Sequence, residues 1–279
     1  MRISFPYPKV NSLDVPDENL LGIFSPSTVK VDKPDEEIVD EAFSHPIGSD
    51  PLPQMLKGRK NVLIVVDDYT RTTPVQKILP RLISELEEAG IKPGGIKILV
   101  ALGTHRPMNE EEIVIKFGKD IPKRYPILNH PWWDSSQLTY FGETEKGTPL
   151  FFNRMVKEVD FILGIGQIVP HRVSGFSGGG NIIQPGICGE ETTGKTHWFS
   201  AQFKGREILG KIENPVKKEI EQVAQRAGLE WIINTIQDGS GRLIKVVAGD
   251  PIQAYRTGAQ RSLEIYQSKL PQEADIIIA

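Results

Sequence analysis

NVLIVVDDYTRTTPVQKILPRLISELEEAG, residues 61–90, sets a continuous apolar run, a polar loop and a helix-period segment one after another. NVLIVV has strand length and no polar face, the pattern of a strand covered on both sides. In VQKILPRLISELEEAG the apolar residues fall at helical spacing, Pro80 predicts a local kink and Gly90 a stop. The cycle repeats at once. GIKILVALG (95–103) reads as a strand, and NEEEIVIKFG (109–118) as a helix with an Asn109 cap and a Gly118 stop. Two such units in succession predict a parallel sheet with right-handed crossovers.

Working outward, LTYFGETEKGTPLFFN (138–153) reads as a β-hairpin and VDFILGIG (159–166) as a further buried strand. NPVKKEIEQVAQRAG (214–228) is an amphipathic helix, and LEWIINTIQDGSGRLIKVVAGD (229–250) two strands about the turn Asp238-Gly239-Ser240-Gly241. PIQAYRTGAQRSLEIYQSKL (251–270) closes with a helix. The expected class is α/β, a mainly parallel sheet flanked by helices with an added β-hairpin. Residues 1–60 are Pro-rich: RISFPYP alternates briefly, and PDEEIVDEAFSHP has the Pro34 and acidic first turn of a helix start. This gives a lead-in at 1–60 packed on the core and an α/β domain at 61–270. ADIIIA (274–279) reads as the start of a buried strand, so 271–279 is expected to open a second, otherwise absent domain.

The 279 residues suffice for a large buried core. The single cysteine, Cys188, excludes an internal disulfide and a Cys-rich metal site and points to a reducing cytoplasm. A net charge of -3 with interspersed charges and no basic run argues against nucleic acid as a partner. No apolar run approaches the roughly 18 residues of a membrane span, and the N-terminus has no apolar signal region.

In open α/β sheets ligands bind beyond the carboxyl ends of the strands. DDYTRTTP, THRPMNEE and PHRVSGFSGGGN follow three apolar runs and deliver Asp68 and Arg71, His105, and His171. Asp67 suits an Asx-turn or helix cap. Asp68 and Arg71 read either as a local ion pair or as part of a carboxylate clamp. SGFSGGG (174–180) suits a backbone that closely approaches a phosphate or flat ring, and is expected to floor the crevice; it is neither a P-loop nor a G-x-G-x-x-G fingerprint. Gly186 and Gly189 suggest tight packing. His197, following ETTGKT, is expected on the first turns of a helix as a metal ligand or a cap. His45, His130 and Trp198 read as structural, the last as core. A zinc site from His105, His171 and His197 is chemically allowed, without H-E-x-x-H spacing.

Taken in order and spacing, VDDYTRTTP, ALGTHRP and PHRVSGFSGGG...PGICG...H resemble the nickel-dependent lactate racemase family of 2-hydroxyacid racemases and epimerases, from about residue 40 onward. The resemblance implies the N-terminal cofactor-binding domain of a two-domain isomerase, incomplete as this fragment. It implies a nickel pincer nucleotide, a pyridinium mononucleotide whose two sulfurs and one ring carbon hold the metal, with His197 completing the coordination. By position His105 and His171 match the acid/base histidines and Arg71 the substrate-carboxylate arginine. Asp68, Thr70, Ser177, Gly178, Gly179 and Asn181 fall on the cofactor-binding segments. The implied partners are a small 2-hydroxyacid and, transiently, cofactor-making enzymes.

The sequence departs from the family pattern S-G-G-x-K at Asn181 in SGGGN. Asparagine cannot form the family's covalent cofactor link, so the expectation is noncovalent binding; Lys195 is the nearest lysine following in sequence. A second departure is the absent closing domain with its substrate-contacting lysine. Two other readings stay open: a noncatalytic nucleotide or organic-acid binding domain, and a zinc hydrolase using the histidine trio.

Overall fold

The computed structural model describes residues 1–5 and 12–278; the PYP of the alternating start and the final Ala279 lie outside them. The chain opens with paired strands β1 (Arg2–Ser4) and β2 (Ser12–Asp14), then α1 (Asp35–Ser44) and the single turn α2 (Leu52–Met55). The two repeating units follow as β3 (Val62–Asp67), α3 (Val75–Glu88), β4 (Ile96–Ala101), α4 (Glu110–Phe117), the short α5 (Ile121–Arg124) and β5 (Ile127–Asn129). Next come the hairpin β6 (Leu138–Glu143) and β7 (Pro149–Asn153), β8 (Phe161–Gln167), and the small ladder β9 (Pro170–His171) and β10 (Gly175–Phe176). The last elements are α6 (Glu190–Ser200), α7 (Gly205–Ile208), α8 (Pro215–Ala227), β11 (Leu229–Gln237), β12 (Leu243–Gly249) and α9 (Gln253–Tyr266).

The six-stranded sheet has the order β12-β11-β8-β3-β4-β5. Its pairs are parallel except β11–β12, whose short connection permits only an antiparallel return. From β3 the chain first builds one way, to β4 and β5, and then the other, to β8 and β11. The direction reverses between β3 and β8, and that is where a crevice opens at the strand ends.

Alternate residues of β3 feed two cores. Val62, Ile64 and Val66 pack with Ile38, Val39 and Phe43 of α1 and Ile78, Leu79 and Leu82 of α3. Leu63 and Val65 share the other face with Val223 and Ala224 of α8, Tyr255 of α9 and Phe152 of β7. The acidic first turn of α1 favours its N-terminal dipole. α4 carries the full capping box between Asn109 and Glu112 and stops at Gly118, φ 79°.

Pro80 lies inside α3, which continues to Glu88. Several local expectations change. Residues 274–278 form no strand, and Ile276, Ile277 and Ile278 are exposed: among the described residues no strand pairs with their backbone. Trp198 is 70 % exposed rather than core, because α6 buries Thr192, Thr193 and Thr196 on its inner side instead. His197 is the eighth residue of the eleven in α6, not in its first turns.

Candidate functional site

The loop after β3 is held from below. Asp67 is buried and pairs with the equally buried Lys116 of α4, Nζ to Oδ1 2.8 Å, while Thr73 Oγ1 donates to its other oxygen. Burial raises the Asp67 pKa and the Lys116 charge opposes that shift. Lys116 Nζ also donates to the backbone carbonyls of Asp68, 2.7 Å, and Arg71, 3.0 Å. Asp67 is therefore an ion-pair residue, and the Asx-turn belongs to Asp68, whose Oδ1 accepts from Thr70 N at 3.0 Å and Thr70 Oγ1 at 2.6 Å.

Asp68 Oδ2, left free by that turn, meets His105 Nδ1 at 2.6 Å. The contact fixes Nδ1 as the protonated nitrogen and leaves Nε2 as a base. His105 comes from the loop after β4, which Trp132 Nε1 anchors by donating to His105 O at 3.0 Å. Asp68 and Arg71 form no pair; half-buried Arg71 lines the cavity, and among the described residues no carboxylate lies within ion-pair distance of it.

His171 enters from β9. The backbone N–H groups of Val173 and Ser174 donate to its Nδ1, each at 3.3 Å, and Ser174 Oγ lies 3.1 Å from the same atom. Two N–H donors at Nδ1 favour the tautomer with hydrogen on Nε2. Burial, aided by the Arg71 charge, brings the His171 pKa down to about 4, so it is neutral at pH 7.

His197 Nδ1 donates to Thr193 O at 2.8 Å, which places the lone pair of the neutral ring on Nε2, the arrangement a metal-ligating imidazole uses. Among the described residues no group of three His, Cys, Asp or Glu side chains could hold a metal ion. The histidine trio thus makes no zinc site of its own. A metal brought with most of its donors, needing one imidazole, fits this donor set.

Asp68, Thr70, Arg71, His105, His171, Ser177, Gly178, Asn181 and His197 all line one cavity at the β3/β8 switch point. Gly178 has φ 86°, and a Cβ there would stand 2.5 Å from Ile168 Cγ1 and 2.9 Å from Asn234 Oδ1, so the wall can pass only as glycine. Gly179 is different: it is buried against Tyr255, outside the cavity. The expected floor is consequently a wall made by Ser177 and Gly178, with Gly179 and Gly180 behind. Two buried oxygens on residues lining the cavity, Gln184 Oε1 and Thr193 Oγ1, have no partner among the described residues, which fits a polar ligand supplying hydrogens there.

Sequence reasoning missed Lys116, Gln184, Thr193 and Lys217. The lysines looked like the polar faces of α4 and α8, and no local pattern marks their burial. His130 is structural as expected: fully buried, it donates from Nε2 to Cys188 O at 2.9 Å and accepts from Asn153 Nδ2 at 3.1 Å, and burial lowers its pKa to about 4. His45 lies against Glu41 O at the end of α1. Gly186 and Gly189 are packing glycines; a Cβ at Gly186 would lie 1.9 Å from Ile182 O.

A family model described as the lactate racemase N-terminal domain matches residues 8–207. The lactate racemase of Thermoanaerobacterium thermosaccharolyticum is 31% identical over 280 residues, covering 99% of this chain and 65% of that protein. The lactate racemase of Lactiplantibacillus plantarum is 32% identical over 282 residues, covering 99% of this chain and 66% of that protein. The chain thus spans about two thirds of the length of these relatives. The apoprotein structure of the Thermoanaerobacterium enzyme superposes with a TM-score of 0.83 at 30% identity, covering 95% of this chain and 63% of that one. A Thermotoga maritima protein superposes at 0.71 with 26% identity, covering 85% and 61%.

Proposed function

Since the chain belongs to the lactate racemase N-terminal domain family, we propose that it is the cofactor-binding part of a 2-hydroxyacid racemase or epimerase that uses a nickel pincer nucleotide. The observation that carries the reading is the meeting of the Asp68–His105 pair, neutral His171 and an Arg71 without a carboxylate partner at one cavity. When bound, the nucleotide supplies a hydride acceptor for an α-hydrogen too weakly acidic to leave easily as a proton.

The chain's own residues do the rest. Arg71 anchors the substrate carboxylate through its two-pronged guanidinium, which keeps the acid in place while its reacting carbon turns. His105 takes the hydroxyl proton at Nε2, with Asp68 stabilising the imidazolium. His171 serves the opposite face. Its Nε2–H tautomer hydrogen-bonds the substrate oxygen, and in the other tautomer, with Ser174 Oγ accepting from Nδ1, Nε2 takes the hydroxyl proton and later returns it. His197 Nε2 would be the nickel ligand, and Thr70, Ser177, Gly178 and Asn181 would border the nucleotide. With Asn181 in place of a lysine, the nucleotide is held noncovalently. The free Cys188 thiol is buried, and no helix among the described residues is long and apolar enough to cross a membrane; the reading sets the protein in a reducing cytoplasm.

The test is loss of optical purity across a panel of 2-hydroxyacids with the full-length protein co-expressed with cofactor-making enzymes, beside metal analysis. Nickel with a chromophore and racemisation support the reading. Zinc, or a chain that binds neither metal nor nucleotide, overturns it.

A further inference from the structure

The side-chain amides at positions 181 and 184, both of residues that line the cavity, are oriented from behind. Lys217 of α8 is 1% exposed, and its Nζ donates to Phe176 O at 3.2 Å, Gly178 O at 2.9 Å and Asn181 Oδ1 at 2.6 Å, with the Tyr255 ring centroid 3.6 Å away. An ammonium has three donors and no acceptor. All three are used, and the Asn181 amide must turn its oxygen to the lysine. Its Nδ2 consequently faces the other way, where its contact within the protein is Gln184 O at 3.5 Å, at the outer limit of a hydrogen bond.

Gln184 is fixed by the same logic in the opposite sense. Its Nε2 faces α6, donating to Thr196 Oγ1 at 2.9 Å and Thr192 O at 3.4 Å. A backbone carbonyl only accepts, so the nitrogen belongs on the α6 side and Oε1 is left buried without a partner. A buried acceptor in that state is costly until a donor reaches it.

We propose that Asn181 Nδ2 and Gln184 Oε1 form a donor–acceptor pair that holds a pyridinium mononucleotide reversibly, with Lys217 as the positioning residue for Asn181. This rests on the reading of the cavity given above. The complementary ligand edge carries an oxygen or sulfur acceptor, such as a ring carboxylate or thiocarboxylate, and a hydroxyl donor such as a ribose supplies. Lys217 contributes its charge to the loop carbonyls behind the wall, where a lysine at position 181 would have projected an amine from the wall itself. Burial pulls the Lys217 pKa down, yet three oxygen partners are satisfied only by the ammonium.

The probe is nicotinic acid mononucleotide, titrated calorimetrically into the wild type, N181A, N181D, Q184L, K217M and the N181A/K217M double variant. Asn181→Ala, Gln184→Leu and Lys217→Met are each expected to weaken binding about tenfold, and the double variant no more than Asn181→Ala alone, because Lys217 acts through Asn181. Asn181→Asp keeps the side-chain volume and the Lys217 contact, so it folds even if Lys217→Met does not; it removes the donor and is expected to weaken binding at least tenfold. Wild-type affinity in Asn181→Asp, or additive losses in the double variant, overturns the proposal while leaving the racemase reading intact. A mass adduct on Lys217 in the denatured loaded protein also overturns it. A wild type that does not bind the mononucleotide overturns both.

Discussion

Replacing Lys116 by Met tests whether the buried Asp67–Lys116 pair sets the shape of the Asp68–Arg71 loop. Asp67 is 8% and Lys116 8% exposed, so methionine fills the same space but leaves a carboxylate stranded in a low-dielectric site. Breaking one side of such a pair costs about 3–5 kcal/mol. At about 2–4 °C per kcal/mol for chains near this size, the melting temperature should fall on the order of 10 °C. The loss has a pH signature. Without Lys116 only the Thr73 hydrogen bond opposes the burial that raises the Asp67 pKa, so its folded pKa lies further above the unfolded value. The stability of such a group is complete below the unfolded pKa and is lost as pH rises through the folded one. The gap between variant and wild type should therefore narrow from pH 7 to pH 5. Asp67→Asn combined with Lys116→Met should recover part of the loss at pH 7. Urea unfolding of all three proteins at both pH values measures this, the comparison at equal pH cancelling other titrations. A Lys116→Met protein within 1 kcal/mol of wild type at pH 7, or a gap independent of pH, refutes the reasoning.

In the loaded full-length protein, His105→Ala and His171→Ala should each cut racemisation by about 10²- to 10⁴-fold with nickel retained. His197→Ala should lose nickel, and unchanged metal content in that variant counts against its role as ligand. The cofactor should leave on denaturation: an intact-mass spectrum that shows it still attached contradicts noncovalent holding at Asn181. His130 has its folded pKa near 4 against 6.5 when free, so the wild type should lose up to about 3 kcal/mol as pH falls from 6.5 to 4, since the unfolded chain binds the extra proton. His130→Gln should flatten that slope in urea melts, and an unchanged slope would assign the acid sensitivity to His171 and others.

Much of the sheet was legible because its inner strands are continuous apolar runs: VLIVVD, IKILVA and FILGIGQ all lie where the runs fall. Their lateral order was not legible, since pairing β8 beside β3 depends on contacts between segments about 100 residues apart. The edge strand Ile127–Asn129 is too short to show a period. Asp68, Arg71, His105 and His171 could be singled out because strand ends carry the loops of an α/β crevice. The roles of the two aspartates could not be told from local sequence, because burial by Lys116, 49 positions after Asp67, decides them. Trp198 misled for a related reason: helical spacing alone does not say which face of α6 is turned inward, and threonines occupy that face.

The exposure of Trp198 gives the molecule a built-in optical probe. Its indole follows His197 directly in the chain and stands 70% in solvent, while Trp231 lies fully buried beside Phe43. Emission from the first should be red-shifted and open to soluble quenchers, and emission from the second blue-shifted and shielded. A transition metal taken up at His197 would dim the Trp198 share of the red component, leave the share of half-exposed Trp133, more distant in the chain, as a background, and spare the blue, so loading can be timed in a stopped-flow fluorimeter without label or turnover.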